Sequence, residues 1–416
     1  MLMFQMFHVT LQSESKLIAR QTPTQRVLEL RVRAPESPEN AARTPLNLAL
    51  VLDRSGSMSG IKLEYVKQAA QHVIDLLSTG DRAALVSFDE HVSVDVPNTL
   101  IQAGVKAQIK ERISSIRSGN TTNLSGGWTQ GCQEVAANAE SRQQINRVLL
   151  LTDGLANVGI TDTEVLSMHA RELAERGVST STFGVGEGFN EHLLEGMSNQ
   201  GSGNFYFIAN PQEIPAIFIR EFKELTAVTA RDVQVTLTLP EHTAVEVLGG
   251  WRYTLNGNKL QIFLGDLPGG REQEVYLKLL LPPSDTHQNL SINAAATGVG
   301  LHDQGLSDET RLRFQYADAE EIAKAPVAQD VLERYAKVDM SEQTTAALKL
   351  ERDGKREQAR KKILQSLQEN RPSLSPDQVE YYENMAGRME HGMIEQDRKT
   401  SQYNAYNIKR QRPSDK

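Results

Sequence analysis

Residues 48–60 read Leu-Ala-Leu-Val-Leu-Asp-Arg-Ser-Gly-Ser-Met-Ser-Gly. The apolar run is too short for a helix and ends on Asp53. Small polar residues with Gly56 and Gly60 follow, and then an amphipathic stretch, 61–77, in which Val66, Ala69, Ala70, Val73 and Leu77 share one helical face. An unbroken apolar run followed by a helix is the pattern of a strand covered on both faces of a parallel sheet. The alternation continues downstream, with strands predicted at 83–88, 148–152 and 178–185 and helices at 105–116, 124–139, 163–176 and 214–225. Repeated strand and helix predict an α/β class, a doubly wound parallel sheet, over residues 44–227.

Working outward, residues 8–34 alternate polar and apolar side chains, the period of half-buried strands. The same period returns at 233–239, 274–281 and 290–296, with a hairpin turn at Asn256-Gly257. The short N-terminal segment cannot bury a core alone. Residues 1–43 are therefore expected to pair with 228–316 as a small antiparallel β-sandwich into which the α/β unit, 44–227, is inserted. From 319 the pattern is helical, and 319–398 reads as an α-helical module. Residues 399–416 hold Lys399, Lys409, Arg410, Arg412 and Lys416 against Asp415, with little apolar content, and read as a mobile basic tail.

Composition limits the chemistry. Of 416 residues, 39% are hydrophobic and 24% charged, the balance of a chain that folds in water. The net charge of −8 argues against a nucleic-acid surface. No apolar run reaches the roughly 18 residues of a membrane span, and residues 1–7 lack the cationic start and small-residue cleavage site of a secretory signal. A cytoplasmic protein is expected. Cys132 is the single cysteine; it has no partner for an internal disulfide and reads as a small buried side chain within a helix.

Ligands bind where loops converge at the carboxyl ends of the strands of such a sheet. Asp53-Arg54-Ser55-Gly56-Ser57 stands at one strand end, Thr152-Asp153-Gly154 at another, and Gly119-Asn120-Thr121-Thr122-Asn123 opens a helix between them. Two carboxylates and three hydroxyls can gather there. With no His or Cys, the donors suit Mg²⁺, Mn²⁺ or Ca²⁺ rather than zinc. A plain helix-capping loop is the alternative use of Asp53, Ser55 and Ser57. Gly184-Val-Gly-Glu-Gly188 imitates a phosphate loop but carries Glu187 and no following Lys-Ser/Thr.

Asp-x-Ser-x-Ser after a buried strand, the Gly-x-Thr-Thr-Asn loop and Leu-Leu-Thr-Asp-Gly at 150–154 together resemble von Willebrand factor type A domains bearing a metal-ion-dependent adhesion site. The resemblance covers residues 44–227 and is closest to the intracellular bacterial multidomain type. It implies Asp53, Ser55, Ser57, Thr122 and Asp153 as the metal set, with Thr122 chosen over Thr121 because Thr-Asn-Leu leads into the helix; Asp89 is a turn or supporting residue. It also implies Mg²⁺, with Mn²⁺ or Ca²⁺ as alternatives, and a non-enzymatic adaptor whose protein partner completes the metal with an Asp or Glu. An AAA ATPase or its substrates is the kind of partner such proteins serve. The alternatives are a metal-assisted hydrolase or phosphatase, which would need a base that the motif loops lack, and a metal-free scaffold. By the same resemblance, a shift of the helix at 214–225 would tilt the inserted unit against the sandwich.

Overall fold

The computed structural model describes residues 7–37, 42–139, 144–284 and 289–412. In chain order the elements are β1 (His8–Ser13), β2 (Leu17–Ala19), β3 (Thr24–Arg33), β4 (Leu46–Asp53), α1 (Ile61–Leu76), β5 (Arg82–Phe88), β6 (Val92–Leu100), α2 (Val105–Ser115), α3 (Leu124–Ala136), β7 (Ile145–Thr152), α4 (Thr163–Glu175), β8 (Ser179–Val185), α5 (Glu191–Gln200), β9 (Phe205–Ile208) and α6 (Ile214–Thr226). There follow β10 (Val228–Thr238), β11 (Ala244–Val247), β12 (Arg252–Asn256), β13 (Lys259–Pro268), β14 (Glu272–Leu281), β15 (Leu290–Gly300), β16 (Gly305–Ala317), α7 (Ala319–Lys324), α8 (Gln329–Arg352), α9 (Arg356–Asn370), α10 (Pro376–His391) and α11 (Glu395–Lys409).

The central sheet has the order β6-β5-β4-β7-β8-β9. All its pairings are parallel except that of the edge strand β6, which returns antiparallel on β5. Every residue of β4 and of β7 is buried, as expected of strands with helices on both faces. One face packs α1, α2 and α6 through Val66, Ile109 and Phe218; the other packs α3, α4 and α5 through Trp128, Leu166 and Leu193. Trp128 is fully buried and donates its indole N–H to Thr180 Oγ1 at 3.1 Å. Cys132 is buried in α3, and that burial pushes its thiol far above the ordinary range.

The chain leaves β4 toward β5 on one side and reaches β7 on the other, so the switch point lies between β4 and β7. Leu52 pairs with Leu151 in that register, which sets Asp53 and Asp153 at the same sheet edge.

The second body is a sandwich of β1-β3-β14-β11 on β12-β13-β10-β15-β16-β2. Its inner faces meet through Leu28, Leu30, Val235, Leu237, Leu277 and Phe314. β3 precedes the α/β unit and β14 follows it, and the two pair along ten residues, from Glu272 opposite Arg33 to Leu281 opposite Thr24. Arg147 of β7 crosses to Asp266 of β13 at 3.2 Å.

The helices α8, α9 and α10 pack on one another through Met340, Ile363 and Met385. The longest of them, α8, runs unbroken through 24 residues and ends at Asp353-Gly354, where Gly354 takes a φ of +78°. Among the described residues no helix is long and apolar enough to cross a membrane.

The predicted mobile tail is a correction. Within 399–412 the chain completes α11 and lies buried against the α/β unit; residues 413–416 fall outside the described residues. Tyr403 and Tyr406 join the aromatic cluster around Phe205 and Phe189. The lysines and arginines are not solvated either. Lys399 pairs with Glu191 at 2.9 Å, Lys409 with Glu195 at 3.1 Å and Arg412 with Glu224 at 2.9 Å. Lys399, Lys409 and Arg412 are thus counter-charges for acids of the inserted unit, while Arg410 donates to Asn199 Oδ1 at 2.6 Å and lies over the Trp251 ring.

Candidate metal centre

Asp53 ends β4 with its carboxylate fully buried. Oδ1 accepts the Ser55 amide at 2.7 Å, a local turn that Asp at a strand end favours, and Oδ2 accepts the Thr152 hydroxyl at 2.5 Å. The loop then makes a single tight turn at Gly56–Met58 and enters α1. Ser55 Oγ lies 3.1 Å from Ser57 Oγ, and Ser57 Oγ donates to Asp153 Oδ1 at 2.6 Å. Four of the five expected donors thus form one chain of contacts.

Thr122 is brought in from the third loop. Its amide donates to Asn157 Oδ1 at 3.1 Å and its carbonyl accepts from the amides of Asn157 and Val158, so the loop after β7 fixes its height. A Cβ added to Gly154 would lie 3.2 Å from Thr122 Oγ1 and 3.8 Å from Ser57 Oγ, which sets both hydroxyls on one point. Thr122 is buried and its neighbour Thr121 is exposed.

The three loops are cross-tied by backbone. Arg54 N donates to Phe88 O at 2.8 Å, Gly119 N to Arg54 O at 2.7 Å, Gly56 N to Asn120 O at 2.8 Å and Asn123 N to Asp89 O at 2.8 Å. Asp89 supports the loops from behind. Its Oδ1 accepts from the His91 amide at 2.8 Å and from Arg54 at 3.3 Å. Position 119 admits only glycine, since a Cβ there would fall 1.7 Å from Asp89 Oδ2.

Two residues that sequence reading did not assign belong to the site. Thr152 anchors Asp53, and Lys62, from the first turn of α1, sets its ammonium on Asp153 Oδ2 and 3.3 Å from the Ser57 carbonyl. Lys62 and Arg54 are thus both cations at the site, one on Asp153 and the other on Asp89. The residue placement alone offered a signal for Lys62: a lysine at the start of a helix whose preceding loop gathers carboxylates.

The donors fit a hard divalent cation. All are oxygens, two are carboxylates, the hydroxyls converge, and a protein ammonium already shares one of the carboxylates. Beside the site Leu155, 56% exposed, opens onto a cleft of about 550 Å³ between the α/β unit and the helices, walled by Phe189 and His192 on one side and Lys349, Arg352 and Glu395 on the other.

Burial pushes the Asp53 carboxyl up to about 6, with the charge of Asp153 adding to the rise and the Thr152 and Ser55 bonds opposing it. A carboxyl raised by folding favours the folded state below its unfolded value, and that contribution is lost as pH rises through the folded value. The ionised form then weakens the metal-free fold by up to about 3 kcal/mol. In chelator at pH 7.5, Asp53→Asn is expected to raise the thermal midpoint by roughly 5 °C, and by much less at pH 4.5. Scanning calorimetry at both pH values decides it; equal midpoints at pH 7.5 would contradict the burial cost.

Residues 47–220 match the von Willebrand factor type A domain family. An uncharacterized protein of Synechocystis is 31% identical over 227 residues, 55% of this chain and 52% of its own length. YfbK of Escherichia coli, also uncharacterized, is 30% identical over 193 residues, which is 46% of this chain and 33% of that protein. The mouse inter-alpha-trypsin inhibitor heavy chain H2 is 25% identical over 205 residues, 22% of its length. The chain thus spans about half or less of the relatives it matches. Among solved structures, a von Willebrand factor type A protein of Catenulispora acidiphila superposes with a TM-score of 0.69 at 17% identity, covering 88% of this chain and 89% of that one. The ArnB paralog VWA2 of Sulfolobus acidocaldarius gives 0.64 at 19%, covering 97% and 98%. At these identities the likeness is one of fold, and in the second case it extends over nearly the whole arrangement.

Proposed function

Given that residues 47–220 form a von Willebrand factor type A domain, we propose that this protein is a non-enzymatic, divalent-cation-dependent docking module whose partner supplies an Asp or Glu carboxylate to the metal. The observation that carries the reading is the convergence of Asp53, Ser55, Ser57, Thr122 and Asp153 at one sheet edge. Mg²⁺ is the expected ion, with Mn²⁺ and Ca²⁺ as the alternatives of the same chemistry. A cation held largely by neutral hydroxyls keeps most of its charge and attracts a further carboxylate.

This chain's own residues do the rest. Thr152 and the Ser55 amide hold Asp53, Asn157 holds Thr122, and the Arg54–Asp89 pair holds the loops together. The cleft beside Leu155 is the place where partner residues flanking the docking acid would lie. The nearest cations, Lys62 and Arg54, are each paired with a carboxylate, which favours docking over hydrolysis: neither is a free base.

Calorimetric titration of chelated protein with Mg²⁺ and Mn²⁺ is expected to show binding that both Asp53→Ala and Asp153→Ala abolish. A pull-down from lysate should then lose its captured partner on addition of chelator. Binding retained in both variants, or a partner set indifferent to chelation, contradicts the reading.

A further inference from the structure

Of the two buried carboxylates at the centre, one has a counter-charge and the other has none. Asp53 is held only by neutral donors, the Thr152 hydroxyl and the Ser55 amide. Asp153 has both oxygens engaged: Oδ1 by the Ser57 hydroxyl at 2.6 Å, and Oδ2 by the Lys62 ammonium. The Asp153 side chain is fully buried, whereas that of Lys62 remains 31% exposed. A buried carboxylate without a cation is costly, so the ammonium compensates Asp153 when no metal does. Lys62 is also free to leave. It sits in the first turn of α1, its side chain is partly exposed, and its second contact is a single carbonyl, that of Ser57, at 3.3 Å.

Resting on the cation-dependent reading above, we propose that Lys62 is a resident counter-ion that occupies Asp153 in the metal-free protein, withdraws toward solvent as the divalent ion enters, and thereby sets the affinity of the centre. A divalent ion and an ammonium that share one carboxylate lie within about 6 Å of each other, and at that separation their repulsion weakens binding about tenfold even at the dielectric of water. Lys62 is thus a positioning and tuning residue. It holds Asp153 ready while keeping the metal exchangeable, so that docking is able to respond to cation concentration.

The test uses the full chain, stripped with chelator and titrated with Mn²⁺ at pH 7.5 and low salt, as wild type, Lys62→Met, Lys62→Gln and Lys62→Arg. Removing the charge is expected to tighten Mn²⁺ binding about tenfold in both neutral variants while lowering their thermal midpoint in chelator, and the arginine variant should stay near wild type. A purely structural lysine would weaken binding in all three. Unchanged or weaker Mn²⁺ binding in Lys62→Met and Lys62→Gln, with wild-type binding intact, overturns the counter-ion role and leaves the docking reading standing. Absence of Mn²⁺ binding in the wild type and in the neutral variants alike overturns both.

Discussion

Ending the chain at Met393 is expected to cost more stability than any single substitution, lowering the thermal midpoint by more than about 10 °C or leaving the product insoluble. The helix removed, α11, is polar in composition yet seated throughout. Tyr406 packs edge-on against Phe205 with ring centres 5.5 Å apart and accepts that residue's amide hydrogen at 2.9 Å, and Tyr403 meets Phe205 edge-on at 5.9 Å. Loss of one such buried aromatic is worth about 3–5 kcal/mol. Truncation also strips Glu191 and Glu195 of lysines whose side chains are almost fully buried; Glu191 keeps Arg352, but Glu195 loses both Lys409 and Gln402, and a buried acid left unpaired adds a comparable cost. Together these approach the whole stability of an ordinary domain. Tyr406→Ala is the graded form and should lose about 3–4 kcal/mol in urea unfolding. A truncated protein that melts within about 2 °C of the full chain would mean that the helix rests on the α/β unit without supporting it.

The second large effect is expected at Glu221 of α6, a fully buried acid. Its Oε1 accepts from Ser181 Oγ at 2.5 Å, and its Oε2 from the Tyr206 hydroxyl at 2.7 Å and Asn204 Nδ2 at 2.8 Å. Burial pushes this carboxyl up, but Arg147 and Arg412, with these hydrogen bonds, outweigh it and hold the group below the usual carboxylate range. Glu221→Ala strips Ser181, Tyr206 and Asn204 of their acceptor and leaves Arg147 and Arg412 with one acid each, Asp266 and Glu224, and should cost about 3–5 kcal/mol; Glu221→Gln keeps one acceptor oxygen, for Tyr206 and Asn204, and should cost less. For a carboxyl lowered by folding, the contribution is present above the unfolded value and lost as pH falls through the folded one. The wild type should therefore lose its advantage over Glu221→Gln in acid, below about pH 4.5. Parallel urea titrations at pH 7 and pH 4 check it, and a constant difference between the two proteins would refute the ionised assignment.

How much was readable in advance depends on whether a residue's partners are near in sequence. β4 and β7 announce themselves because burial on both faces forces an unbroken apolar run. Asp53, Ser55 and Ser57 are legible as a motif because one short loop holds all three. Thr122 and Thr121 look alike in the sequence; what separates them is Asn157, on a loop that only the sheet brings close. β6 contains Pro97 and alternates weakly, as an edge strand with one open side does, so its sequence carries little strand signal. α11 is hidden for the opposite reason. Lys399, Gln402 and Lys409 spell a solvated segment unless the acids that receive them, some two hundred residues earlier, are known. Lys62 belongs with these: its role at Asp153 rests on a contact between residues 91 positions apart.

The pairing of β3 with β14 on either side of the inserted unit, and the return of α11 to that unit, bear on synthesis. A chain emerging N-terminus first presents β3 paired with β1 on one edge and open on the other until residue 281 has been made, and leaves Phe205 without its covering tyrosines until residue 406 has followed. Neither body can finish on its own schedule. During translation the nascent protein displays an unpaired strand edge and an apolar patch together, so its yield in cells will depend on chaperone supply and translation speed more than the stability of the finished molecule suggests.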